Sequence, residues 1–226
     1  MIKDAKLYIN GDSYSAYTEE HKVWPEIISE KLALTFVNQA TPGSSNNRIL
    51  RNSLEYISQN DKIECVIIAS TFLSRDEEWV ADRRILNKFV HTMPDWERSN
   101  GSKFITSNFL NNLNVKLEKQ LFEYYQKVFL LTQMLKSKNI KYLIFSAAIN
   151  YLNGLDWDND SLNYRNKLHI YKLLQQDPGF KDVDEFSLVQ WAINTDQERS
   201  DSNHLFAQGH LNFAEYLLEQ APHLLA

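Results

Sequence analysis

One rhythm constrains this chain more than anything else in it. A short apolar run is followed by a polar or glycine-containing turn, then by a helical pattern, and the sequence repeats this several times. The runs lie at 6–10, 34–38, 64–69 and 141–147, and each is rich in β-branched or aromatic residues. Continuous apolar runs of this length suit parallel strands buried on both faces. Helical patterns fall at 24–33, 46–58, 112–137, 161–175 and 209–218. Pro25 is tolerated in the first turn of the first of these, and Ser44 or Ser45 caps the second. In the third, Leu113, Leu117, Leu121, Tyr124, Val128, Leu131 and Leu135 recur at helical spacing and predict one buried stripe. Strand then helix, repeated, is the grammar of an α/β sheet covered on both sides.

Two stretches break the rhythm. Residues 72–111 are too long for an ordinary connection and read as an insertion. Within it Ser74 and Glu77 form a capping box, which predicts a helix start. A fifth strand belongs between residues 177 and 195, although 186–193 reads equally well as helix.

Composition narrows the function classes. A chain of 226 residues suits one domain and buries about 70 % of its unfolded surface, so it needs no metal or disulfide to fold. Its single cysteine, Cys65, excludes an internal disulfide framework and a cysteine-based zinc site, and its apolar neighbours predict burial. With 24 Lys+Arg against 29 Asp+Glu and no long basic run, phosphate-driven nucleic-acid binding is not expected. The N-terminal stretch lacks the apolar core and cleavage site of a signal peptide, and no apolar stretch nears the roughly 18 residues of a membrane span. The expectation is a cytoplasmic chain with no membrane or nucleic-acid partner.

Three places carry chemistry. Asn10-Gly11-Asp12-Ser13 follows the first strand, where a serine hydroxyl would enter the crevice at the carboxyl ends of the strands. Asp201-Ser202-Asn203-His204 precedes the last helix. A serine needs an imidazole to take its proton, and the imidazole needs a partner to fix its tautomer, so an Asp three residues before a His can supply both. Asn38 to Arg48 follows the second strand. Gly43 there permits close backbone approach, and Ser44, Ser45 and Asn46 offer N–H groups at a helix N-terminus. Each has a plainer explanation, namely a Gly-Asp turn, a helix cap and a Pro-Gly turn.

Their joint order resembles the SGNH (GDSL-type) hydrolase superfamily: Gly-Asp-Ser after strand one, Asn-x-x-x-x-Gly after strand two, and Asp-x-x-His before the final helix. The resemblance runs from Tyr8 to Ala214, and its last block, Asp201 to Ala214, is similar to the family's in its Gly209-His210 pair and helical Ala214. It implies a flavodoxin-like α/β fold, a three-layer α/β/α sandwich with a central parallel sheet of about five strands. It further implies Ser13 as nucleophile, His204 as general base and Asp201 as its orienting partner, with backbone N–H groups of Ser13 and Gly43 in the oxyanion hole. No cofactor or metal is required. Two positions depart from the family pattern. Ala40 stands at the first glycine of the second block, and Ala69-Ser70-Thr71-Phe72 aligns with a third block that usually reads Gly-x-Asn-Asp. Losing a side-chain oxyanion donor costs about 3 kcal/mol, or about 10²-fold in rate. Thr71, or else Asn46 or Asn47, is the replacement expected from the residues at hand. A third block with Thr and a downstream Arg, here Arg75, resembles one variant within the superfamily. Arg75 and Asp12 are the candidates for substrate contact.

The reading that follows is a serine esterase acting on a small acyl ester, with an O-acetylated carbohydrate as the favoured substrate class. A carbohydrate O-acyltransferase with the same triad and a non-catalytic binding module on a degenerate fold are the alternatives. Asp201, His204 and His210 also form a formal metal-ligand set, ranked well below the serine chemistry. His21, His91, His169 and His223 read as isolated surface or packing residues. Trp79, Trp96 and Trp157 read as packing aromatics.

Overall fold

The computed structural model describes residues 5–71, 76–82, 85–92, 107–148, 164–182, 186–200 and 203–225, with the backbone alone at 76–82, 85–92 and 107–117. The strands are β1 Leu7–Asn10, β2 Phe36–Asn38, β3 Cys65–Ser70, β4 Asp76–Asp82, β5 Ile85–Thr92 and β6 Lys141–Ser146. The helices are α1 Trp24–Leu32, α2 Asn46–Ser58, α3 Ser107–Ser137, α4 His169–Gln175, α5 Leu188–Asn194 and α6 Ala207–Gln220. β2, β1, β3 and β6 form a parallel sheet in that order. Beyond β6, Phe180 and Ser187 pair in parallel with Ile144 and Ser146, at the place of the expected fifth strand.

The alternation of side chains along each strand builds two cores. Leu7, Ile9, Ile67, Leu143 and Phe145 face α1, α5 and α6, where Trp24, Ile28, Leu188, Phe213 and Leu217 receive them. Tyr8, Val66, Ile68, Tyr142 and Ile144 face α2, α3 and α4, against Ile49, Ile57, Leu131 and Leu174. β1, β3 and β6 are thus apolar on both faces, the condition for a parallel sheet between two helical layers. Trp24 is fully buried, with its ring edge-on to Phe145 and Phe213. Among the described residues, no helix is long and apolar enough to cross a membrane.

Three expectations need correcting. The sequence predicts a helix start at Ser74 and Glu77; Ser74 lies outside the described residues, and Glu77 lies in β4, which pairs antiparallel with β5, Trp79 in register with Phe89 and Val80 with Lys88. A capping box is a local signal. Here the β-branched and aromatic residues of the two strands, which favour extended pairing, outweigh it. The buried stripe of α3 runs through Leu121, Tyr125, Val128, Leu131 and Leu135, with Tyr124 only partly buried beside it. The spacing 4-3-3-4 keeps these five on one face, and Leu113 and Leu117 lie where side chains are not described. The helix expected at 161–175 is described from 164 and breaks at Leu168 before α4 begins.

A sheet order of 2-1-3 means that the chain leaves β1 in one direction and reaches β3 in the other. The crevice opens at that reversal, outside the carboxyl ends of β1 and β3.

Candidate active site

The turn after β1 is built from buried polar groups. Asn10 Nδ2 shares its two protons among the Ile49 carbonyl at 3.0 Å, Ser53 Oγ at 3.1 Å and the Tyr8 hydroxyl at 2.9 Å, while its Oδ1 accepts the Gly11 N–H at 2.9 Å. These bonds tie the end of β1 to α2. Gly11 is required by space: a Cβ there would lie 2.7 Å from Ser15 Oγ and 3.0 Å from the Ala69 carbonyl oxygen. Asp12 is fully buried. Its Oδ1 accepts the Tyr14 N–H at 3.1 Å, and its backbone carbonyl accepts the Ser15 N–H at 3.1 Å. Its Oδ2 accepts the Thr71 hydroxyl at 2.5 Å. Ser13 is half-buried on this turn.

The loop after β2 docks on the same turn. Thr41 N–H donates to the Gly11 carbonyl at 3.2 Å, and Asn38 Nδ2 donates to the Ser15 carbonyl at 2.7 Å. Gly43 has φ +75°, the left-handed region that favours glycine, and open space where a Cβ would stand. Ser45 caps α2 by accepting the Arg48 N–H at 3.2 Å. Asn46, at the first turn of α2, reaches across to the end of β3. Its Nδ2 donates to the Thr71 carbonyl at 3.0 Å and its Oδ1 accepts the Thr71 N–H at 2.8 Å.

The loop before α6 arrives from the other side. An antiparallel bridge between Arg199 and Leu205 closes it. Ser200 N–H donates to the His204 carbonyl at 2.9 Å, and Asn203 takes a left-handed φ of 64°. The His204 ring stacks on Tyr14, with centroids 4.8 Å apart and planes 23° from parallel. Tyr14 directly follows Ser13, and its carbonyl accepts the Trp24 indole N–H at 2.9 Å. The structure therefore joins Asp12, Thr71 and Asn46 by buried hydrogen bonds, docks the loop that carries Gly43 on the turn that bears Ser13, and stacks His204 on the residue after Ser13. Asp201 and Arg75 lie outside the described residues.

Thr71 and Asn46 differ in what they have to offer. The Thr71 N–H goes to Asn46 and its hydroxyl proton to Asp12. Asn46 Nδ2 carries two protons, and one of them goes to Thr71.

Sequence reading missed a histidine pair. His210 is buried, and its Nδ1 accepts the Trp24 N–H at the head of α1 at 3.3 Å, which puts the proton of the neutral ring on Nε2. Burial first, then the charges of His21 and His204, push its pKa from 6.5 down to about 4. His21 is not isolated, for its ring lies 5.3 Å from that of His210. The two are far apart in sequence, and only the tertiary fold joins them. Among the described residues, no group of three or more His, Cys, Asp or Glu could hold a metal ion.

No protein-family model matches the chain, and no curated protein matches it. Solved structures do. The psychrotrophic esterase EstA from Pseudoalteromonas sp. aligns over 98% of this chain and 99% of its own, with a TM-score of 0.56 at 12% identity. The chain shares the fold of that protein. TesA gives a TM-score of 0.55 at 14% identity over 97% of this chain and 99% of its own. The acetyl xylan esterase AlAXEase gives 0.53 at 15% identity, over 94% and 98%. In each case the alignment spans nearly the whole of both chains.

Proposed function

We propose that the chain is a serine-dependent ester hydrolase of the SGNH type, acting on small acyl esters, with O-acetylated carbohydrates as the favoured substrate class. The observation that carries this is the stacking of His204 on Tyr14, which seats the imidazole against the turn that bears Ser13 at the reversal point of the sheet. The sequence order of the blocks and the esterase fold support it.

In this reading His204 takes the Ser13 hydroxyl proton as Oγ attacks the ester carbonyl. The carbonyl π electrons move to oxygen, and the backbone N–H groups of Ser13 and Gly43 hold the resulting oxyanion. The remaining Nδ2 proton of Asn46 serves as the side-chain donor. Collapse of the intermediate breaks the C–O bond and expels the alcohol, which takes the proton from His204. Water, deprotonated by His204, then releases the acid and frees Ser13. Asp201 orients His204, and Asp12 supports the nucleophile turn from beneath. Arg75 contacts an anionic group of the substrate.

The competing reading is a non-catalytic binding module, favoured by one observation: Thr71 has neither its N–H nor its hydroxyl proton to give to an oxyanion. A fluorophosphonate separates the two. EstA is inhibited by monoethylphosphonate, so a serine-directed phosphonate suits this fold. A single adduct on Ser13, read by intact mass and peptide mapping and lost in Ser13→Ala and His204→Ala, is the expected result. A well-folded wild type with no adduct would instead favour the binding module.

A further inference from the structure

Thr71 stands where the resembled family places an oxyanion-donating asparagine, yet its polar groups face the protein. Its N–H and carbonyl form a closed pair with the Asn46 side chain, at 2.8 and 3.0 Å. Its hydroxyl donates to Asp12 Oδ2. Thr71 and Asp12 are both buried, with 4% and 0% exposure, so water does not compete for these bonds. The three residues make one chain of contacts from the first turn of α2, through the end of β3, to the turn after β1. The loop carrying Gly43 leads directly into α2, and Ser13 directly follows Asp12.

We infer that Thr71 is a positioning residue. It holds the Ser13 turn at a fixed distance from the Gly43 loop, and so sets the geometry between the nucleophile and the oxyanion donors. This rests on the serine-hydrolase reading above. Without the Thr71 hydroxyl, the Asp12 carboxylate keeps the Tyr14 bond within its own turn and loses its tie to β3. The turn could then shift relative to Gly43, and a displacement of about 1 Å at a reacting group costs about 10²-fold in rate. A serine at position 71 keeps the hydroxyl and restores the tie.

The test is a double-mutant cycle on the full chain, read as kinact and KI for a fluorophosphonate at Ser13. Thr71→Val and Asp12→Asn should each lower kinact about 10²-fold with KI unchanged. The double variant should be no slower than the slower single, because both remove the same link. Thr71→Ser should stay within about threefold of wild type. Additive losses would mean that Thr71 acts on the oxyanion independently of Asp12, and would overturn the inference. So would a Thr71→Val protein labelled at the wild-type rate, or a Thr71→Ser protein as slow as Thr71→Val. A wild type that is never labelled sinks the hydrolase reading and this inference with it, a result distinct from the other three. Should Thr71→Val fail to fold, Asp12→Asn and Thr71→Ser carry the comparison. An Asp12→Asn protein labelled at the wild-type rate would then overturn the link.

Discussion

His210 is the described imidazole whose proton affinity folding changes most clearly. Its pKa in the folded chain, about 4, lies below its ordinary 6.5. Between those values the unfolded chain binds the proton and the folded chain does not, so stability falls as pH falls through that window. The contribution is complete above about pH 6.5 and lost below about pH 4, and amounts to about 3 kcal/mol. His210→Gln keeps an acceptor for the Trp24 N–H and removes the titration. Urea midpoints measured from pH 7 to pH 4 should fall less steeply in this variant, and an unchanged slope would assign the acid loss to other groups. The places of Ser13 after β1 and of His204 before α6 were legible because strand ends and helix starts have short sequence signatures. The roles of Asn10, His21 and His210 were not, because the partners of buried polar groups come from elements far away in the chain.

At the scale of elements, α2 does more for the site than any other helix. Its cap, Ser45, satisfies the Arg48 N–H, its first residue clamps Thr71, and the Gly43 loop feeds it. Ser45→Ala should cost about 1 kcal/mol by chemical denaturation, with fluorophosphonate labelling slowed at the same time. Gly43→Ala meets open space, so only its positive φ resists the change. A loss of about 1 kcal/mol without a packing defect is expected there, measured by the same denaturation. The bounds of α2 were legible to the residue because a cap, an amphipathic face and a polar end agree. The β4–β5 hairpin was not, because its pairing partner, and not its own first turn, decides its conformation.

At the scale of the whole molecule, the parallel sheet shares its strands between two cores, so neither helical layer can leave without exposing the other's support. Leu131→Ala on one side and Phe213→Ala on the other should each cost about 2–5 kcal/mol. Their effects should add, since the two side chains lie in separate cores on opposite faces of the sheet. Both should lower one and the same cooperative transition, seen together by tryptophan fluorescence and far-ultraviolet circular dichroism. The layered architecture was legible because the strands of the parallel sheet are apolar; the edge beyond β6 was not, because among the described residues it is made by isolated bridges at Phe180 and Ser187 and not by a continuous strand. Cys65 sits inside this shared sheet, in register with Leu7 on one side and Lys141 on the other. It is the chain's sole thiol, and burial pushes its pKa up to about 12. Thiol reagents attack the thiolate, so a maleimide should leave the native protein unmarked. A cysteine placed at exposed Tyr17 would then accept a single dye with no background to remove. Slow modification of Cys65 itself would count openings of the sheet, giving the protein a built-in chemical clock for its own unfolding.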